Sequence, residues 1–232
     1  MKLTSAIEWY SENASEFDRR YNSDEDFRER YAIWTEIIDK YSGPGKKVLD
    51  VGCGSGVLTL YAAHGNRRVV GLDGSAEMVR LCEEKRLAAG VQNVEFVQAE
   101  IETISTLIKD PVDLILCSSV LEYLEHPEAF YRELPRSLKK DGILIFSAPN
   151  RESIFRKLEP LSYKLFGRPR YYKFVRSLYS RQEALLMMVQ SGFEVLDIQY
   201  FGKMPILSWI FRRVGMLQFS ENLFLMVARK LS

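Results

Sequence analysis

From residue 47 onward, short apolar runs alternate with stretches of helical pattern, and few folds accommodate that alternation. Residues 47–51, 68–72, 94–97, 112–117 and 143–148 read as strands, and 193–201 and 223–228 add two more. Helical patterns fall between them at 57–65, 75–89, 127–139 and 180–191. Ser180 followed by Glu183 is a capping-box signature, and Pro135 should kink or restart its helix. Strand–helix alternation builds βαβ units around a mostly parallel sheet. A run such as Val112-Asp113-Leu114-Ile115-Leu116 suits a strand buried on both faces. The expected fold is α/β: a Rossmann-like, doubly wound, seven-stranded sheet, mostly parallel. An antiparallel edge is expected because only residues 202–222 join the last two strands.

Residues 5–42 read as helical, with Trp9, Phe17, Tyr21, Phe27, Tyr31, Trp34, Ile37 and Ile38 recurring at three- and four-residue steps. Asn22-Ser23-Asp24 marks a break, and Ser42-Gly43-Pro44-Gly45 ends the segment. One domain over 1–232 is expected: a helical cap (1–42), a ligand-binding core (43–150), a lid (151–180) and a C-terminal helix with strands (181–232). Composition agrees, since 47% hydrophobic and 27% charged residues are globular proportions. The formal net charge of +1 argues against a nucleic-acid coat. Cys53, Cys82 and Cys117 form no C-x-x-C pair, and His64 and His126 lie far apart, so no zinc cluster is expected. The first residues carry acids rather than an apolar core, and no run of 18 apolar residues occurs. Neither a leader nor a membrane span is expected, and a reducing, cytoplasmic setting follows.

The segment Val48-Leu49-Asp50-Val51-Gly52-Cys53-Gly54-Ser55-Gly56 carries the most chemistry. A strand runs into glycines at alternate positions and a helix follows. Such a turn lets a ligand touch backbone at the carboxyl end of a parallel strand. Asp73 ends the next strand, where a carboxylate can accept from both hydroxyls of a ribose. Together they indicate an adenosine-type ligand. The spacing is G-x-G-x-G rather than the dinucleotide G-x-G-x-x-G, and Asp50 just before it would repel a pyrophosphate. S-adenosylmethionine, with its sulfonium and ammonium, suits that charge.

On these residues the chain resembles the class I S-adenosylmethionine-dependent methyltransferases, well over 45–150 and by element order beyond. The resemblance implies that Asp50, Gly52, Cys53, Gly54 and Gly56 hold the donor's aminoacyl end, and Asp73 and Gly74 its ribose. It carries the adenine site onto Met78 and onto Ala99, Glu100 and Ile101, and the methyl-transfer wall onto Cys117-Ser118-Ser119-Val120-Leu121-Glu122-Tyr123. The cap's Tyr10 and Tyr21 would cover donor and acceptor. Simpler readings stand beside these. Glu100 could cap the helix after it, Met78 could fill core, and Cys53 and Cys117 could be packing residues without a base to activate them.

Methyl transfer needs a positioned acceptor and a destination for its proton. Within the superfamily the chain is most similar to the ubiquinone-biosynthesis O-methyltransferases, through Leu121-Glu122, Pro127 and Phe146-Ser147-Ala148-Pro149-Asn150-Arg151. That group has Glu-His where this chain has Glu122-Tyr123. Glu122 and Tyr123 are therefore the catalytic candidates, with no metal implied. A helix-start carboxylate is the plainer reading of Glu122, and a surface loop that of His126. A small, hydrophobic or anionic acceptor is expected, O-methylation leading N- and C-methylation. A nicotinamide oxidoreductase and a non-catalytic cofactor-binding protein are the rivals. Residues 151–181 hold nine Lys and Arg against two acids, interleaved with seven aromatics. They read as a packed lid with solvated charges, a site for an anionic acceptor at a membrane surface, or, least favoured, a nucleic-acid surface. The apolar run at 205–214 reads as a short helix. Sequence does not indicate an oligomeric state.

Overall fold

The computed structural model describes residues 5–203, 213 and 216–231. The expected run at 205–214, apart from residue 213, lies outside them. Three helices come first: α1 (Ala6–Glu12), α2 (Ala14–Ser23) and α3 (Glu25–Tyr41). The break at Asp24 is as expected, and that residue caps α3 by accepting from the Asp26 N–H at 3.0 Å. A second break at Asn13 was not expected. Its side-chain amide donates to the Trp9 carbonyl at 2.7 Å, competing with the helix for a backbone acceptor.

The core then alternates: β1 (Lys47–Val51), α4 (Val57–Ala63), β2 (Arg68–Asp73), α5 (Ala76–Ala88), β3 (Val94–Gln98), α6 (Ile104–Leu107), β4 (Val112–Ser118), α7 (Pro127–Ser137) and β5 (Leu138–Pro149). The lid holds α8 (Ile154–Phe166) and a 3-10 turn at Arg170–Phe174, and α9 (Arg181–Gln190), β6 (Phe193–Lys203) and β7 (Glu221–Lys230) complete the chain. The expected capping box is present at α9, where the Glu183 N–H donates to Ser180 Oγ at 3.2 Å. Pro135 does not restart its helix. It lies inside α7, which ends two residues later as β5 begins.

The seven strands form one sheet in the order β3-β2-β1-β4-β5-β7-β6. The first five pair in parallel, whereas β7 runs antiparallel to both β5 and β6. The C-terminal hairpin thus forms that edge, with β7 inserted and β6 outermost. Strand alternation sends side chains to opposite faces. Leu49 and Val51 of β1, Ile115 and Cys117 of β4, and Phe146 of β5 join α7 and α9 in one core. Val48, Leu114, Leu116 and Ile145 join Trp34, Ile37 and Ile38 of α3 and Leu58 of α4 in the other. With both faces covered, the ligand-accessible ground is the carboxyl edge, beneath the cap and lid. Among the described residues no helix is long and apolar enough to cross a membrane.

Candidate active site

A cavity of about 950 Å³ opens along the carboxyl ends of β1, β2 and β4, roofed by α1, α2 and the lid. Ligand pockets run to roughly 1,000 Å³, so there is room for a cofactor and a second small molecule. At its floor Gly52, Gly54 and Gly56 all have positive φ (67°, 54° and 72°). A Cβ at Gly52 would lie 2.2 Å from Val120 Cγ2, so the loop's path tolerates no side chain there. Asp73 clamps the loop: Oδ2 accepts from the Gly54 N–H and Oδ1 from the Ser75 N–H, each at 2.9 Å. Burial raises the Asp73 carboxyl above the ordinary range, and those two amides oppose the shift. Each oxygen keeps a lone pair that a ribose hydroxyl can use.

Asp50 lies beneath the loop and accepts from Thr59 Oγ1 at 2.6 Å. Burial pushes its carboxyl up to about 7, against the Thr59 hydrogen bond and with the neighbouring Asp73 adding to the rise. The cap sits directly on the loop. The Phe17 ring comes within 3.1 Å of where a Gly54 Cβ would be, and Ser11 Oγ meets Ser75 Oγ at 2.7 Å. Lys85 of α5 bonds Asp18 of the cap at 2.5 Å and the Ser55 carbonyl at 2.9 Å.

Of the residues singled out from sequence, the cavity is lined by Tyr10, Gly52, Gly54, Asp73, Gly74, Met78, Ala99, Glu100, Ile101, Glu122 and Tyr123. Tyr21, Asp50, Cys53, Gly56 and Cys117 are not on its wall. Cys117 points into the core, and burial pushes its thiol well up, so it is no nucleophile. Cys53 is half-buried within the loop. Its hydrogen bond with Cys82, with burial, raises its thiol likewise. Tyr21 stacks edge-on against Phe17 and Phe27 within the cap. Glu100 begins a 3-10 turn at Ile101–Thr103 without a side-chain cap bond, so the capping alternative does not describe it. Met78 is buried in the first turn of α5 yet borders the cavity.

Beyond β4 the chain turns through Ser119, held at φ 58° in the left-handed region that non-glycine residues rarely enter. The short turn Leu121–Tyr123 follows and puts Glu122 at 2% exposure, its Oε2 lacking a hydrogen-bond partner among the described residues. Burial raises the Glu122 carboxyl to about 7, while its own backbone amide, Arg156 and Arg30 pull the other way. The helix-start reading fails, because Glu122 heads no α-helix and is buried. The Glu122 carbonyl accepts from the Arg176 N–H at 2.7 Å, which ties the lid to this turn. Tyr10 donates to Tyr123 at 2.9 Å. Burial raises Tyr10 to about 12 and Tyr123 well above its ordinary value, so both phenols stay protonated. His126 is at the mouth, exposed, with Nδ1 3.2 Å from Glu128.

Two arginines were not singled out as site residues. Arg30 of α3 reaches the wall and donates to Ser119 Oγ at 3.2 Å. Among the described residues no carboxylate pairs with it. α3 also carries Arg28, Lys40 and five acids, so no sequence signal set Arg30 apart. Arg156 of α8 donates to Glu159 at 2.7 Å, to Tyr171 at 3.1 Å and to the Asn222 carbonyl at 3.2 Å. Its partners lie up to 66 residues away in sequence, so no local pattern reveals them. Among the described residues no group of three or more His, Cys, Asp and Glu is placed to hold a metal ion.

A doubly wound sheet with a glycine cradle, a strand-end acid and a cavity across its carboxyl edge defines an α/β domain of the adenosyl-cofactor-binding type. A family model described as a methyltransferase domain matches residues 42–200, and the chain belongs to that family, within the class I S-adenosylmethionine-dependent methyltransferases. The ubiquinone biosynthesis O-methyltransferase of Erwinia tasmaniensis is 35% identical over 109 residues, 47% of this chain and 44% of that protein. The protein of the same name from Pseudomonas putida is 34% identical over 115 residues, 50% of this chain and 49% of its own length. The chain spans about half the length of these curated relatives. The structure is similar to magnesium protoporphyrin IX methyltransferase of Synechocystis with bound S-adenosylhomocysteine (TM-score 0.72, 16% identity, 96% of both chains). It is also similar to the N-methyltransferase NodS of Bradyrhizobium japonicum (TM-score 0.71, 14% identity, 99% of this chain and 100% of the other).

Proposed function

We propose that this chain transfers a methyl group from S-adenosylmethionine to a small acceptor, with a hydroxyl oxygen as the favoured target. The observation that carries the reading is a buried Glu122 carboxyl, whose Oε2 has no hydrogen-bond partner among the described residues, in the same cavity as the glycine cradle and Asp73. S-adenosylmethionine, when bound, supplies an electrophilic methyl on a sulfonium. The residues present fit it: Asp73 has spare lone pairs for ribose hydroxyls, the Gly52 path leaves backbone bare, and Glu100 borders the floor beyond β3. Arg30, without an acid partner among the described residues, suits the donor's carboxylate. Asp50, beneath the loop, supplies negative charge toward its cationic end once ionised.

An alcohol or phenol is a poor nucleophile until its proton has somewhere to go. Glu122 takes that proton on Oε2 as the acceptor oxygen gains its methyl. A carboxylate near pKa 7 is matched to this task at neutral pH. Tyr123, kept a phenol and held by the hydrogen bond it accepts from Tyr10, orients the acceptor by donating its own proton. Phe17, Trp9 and Phe174 close the roof and exclude water, the last two rings lying 6.1 Å apart across the cap–lid seam. The curated relatives' name, O-methyltransferase of ubiquinone biosynthesis, supports oxygen over nitrogen as the target. Cys53, Cys82 and Cys117 as free thiols support a reducing, cytoplasmic setting.

The test is transfer of labelled methyl from S-adenosylmethionine to a panel of phenols, catechols, hydroxy acids and amines. Label in an ether product, lost in Glu122→Gln, is the expected result. Donor binding with no transfer to any acceptor would reject the catalytic reading.

A further inference from the structure

Helix α8 presents two unlike faces. Its inner face carries Arg156 and Glu159, buried and paired at 2.7 Å, and Phe155 and Arg156 reach the cavity. Its outer face holds Leu158, Leu161 and Leu165 at three- and four-residue spacing, with Phe166 beside them. These four are 53%, 54%, 63% and 75% exposed. Side chains that recur at that spacing share one stripe of a helix. A contiguous stripe of large apolar groups is what a folded chain normally buries, and one left outside marks a contact surface.

Charge identifies what the stripe contacts. Lys157 and Lys164 lie along one flank, and Arg168, Arg170 and Lys173 follow just past the helix end. Among the described residues none of these five has a carboxylate at ion-pair distance. Lys157 and Lys173 rest instead over the Phe219 and Phe174 rings, at 5.8 and 4.5 Å. The helix's one acid, Glu159, is buried and neutralised by Arg156. The patch is therefore an apolar ridge with Lys157, Lys164 and Arg168 beside it, while Arg170 and Lys173 line a recess toward the cap. A bilayer with anionic lipids offers both complements in the right order, negative headgroups above an apolar layer.

We propose that α8 docks this protein on an anionic membrane surface, with Leu158, Leu161, Leu165 and Phe166 at the acyl boundary and the Lys and Arg side chains among the headgroups. Docking lays the cavity's lid against the bilayer, so an amphipathic acceptor partitioned there reaches the active site from the lipid side. The surface is read independently of methyl transfer. Vesicle binding and donor binding are separate measurements, and either can fail alone.

The experiment is sedimentation of the full chain with vesicles of phosphatidylcholine and phosphatidylglycerol in equal parts, beside phosphatidylcholine alone. Binding to the anionic vesicles only, weakened by high salt, is expected. Replacing Lys157, Lys164 and Arg168 together by Gln should weaken it about 100-fold, at roughly 1 kcal/mol per cation near the surface. Leu161→Glu with Leu165→Glu should abolish it while leaving stabilisation by S-adenosylhomocysteine unchanged, since both side chains are already exposed. The proposal is overturned by no wild-type binding to anionic vesicles, by equal binding to neutral ones, or by a Leu161→Glu/Leu165→Glu variant that binds as well as wild type. A shift of that variant from dimer to monomer without lipid would assign the ridge to self-association and overturn it too.

Discussion

Replacing Glu122 by Gln should make the protein more stable and less active at once. The carboxyl titrates at about 7 in the fold against 4.5 for an ordinary glutamate, because it is buried without a partner for Oε2. A folded-state pKa above the unfolded value means that the native state holds a proton the unfolded chain releases. The stability this contributes is whole below pH 4.5 and is lost as pH rises through 7. The gap amounts to about 3 kcal/mol at 1.36 kcal/mol per unit. Gln carries no charge to desolvate, so Glu122→Gln should match wild type near pH 4.5 and exceed it by up to about 3 kcal/mol at pH 8. Urea unfolding followed by tryptophan fluorescence at several pH values reads this directly. The difference should widen between pH 5 and 7 and then level off. A variant equal to or weaker than wild type at pH 8 would refute an unpartnered carboxylate. In the same samples, wild-type kcat/KM should climb with pH to a plateau above 7, and the variant should lose roughly 100- to 10,000-fold, the usual worth of a general base.

Three further outcomes follow from the same geometry. Asp73→Ala should weaken S-adenosylhomocysteine binding by about 1–3 kcal/mol in calorimetry, since two loop amides and the ribose hydroxyls lose their acceptor together; unchanged affinity would refute the ribose role. Gly52→Ala should abolish donor binding and lower the melting temperature, because its Cβ would fall 2.2 Å from Val120 Cγ2 at a φ of 67°; a variant that binds normally would show that the loop can shift. Tyr123→Phe removes the 2.9 Å bond from Tyr10, so it should cost about 1 kcal/mol of acceptor orientation, seen in kcat/KM for the acceptor, while donor affinity stays constant.

The sheet and the floor of the site were legible in the sequence because both follow from local pattern. Doubly buried strands write themselves as apolar runs, and glycines at alternate positions after a strand permit the positive φ that this loop adopts. Asp73 was legible for the same reason, a carboxylate at a strand end. The roof was not. Tyr10 meets Tyr123 across 113 residues, and Arg156 depends on Tyr171 and on a carbonyl in β7. Asn13 divides the cap where its side-chain amide and its backbone N–H share the Trp9 carbonyl, which no apolar periodicity records. Glu122 was named from its position after β4, but its burial and missing partner come from the lid closing over it. Asp50 shows the converse: its sequence position suggested a ligand contact, whereas the structure seats it under the loop with Thr59.

A crystal of the protein grown with S-adenosylhomocysteine would be decisive for the donor site. The ribose hydroxyls should lie within hydrogen-bond distance of Asp73, the amino-acid end should run over Gly52 and Gly54 toward Arg30, and the Phe17 ring should have moved off Gly54. A vacant cleft at saturating ligand, with Phe17 still seated on the loop, would contradict this assignment of the cavity.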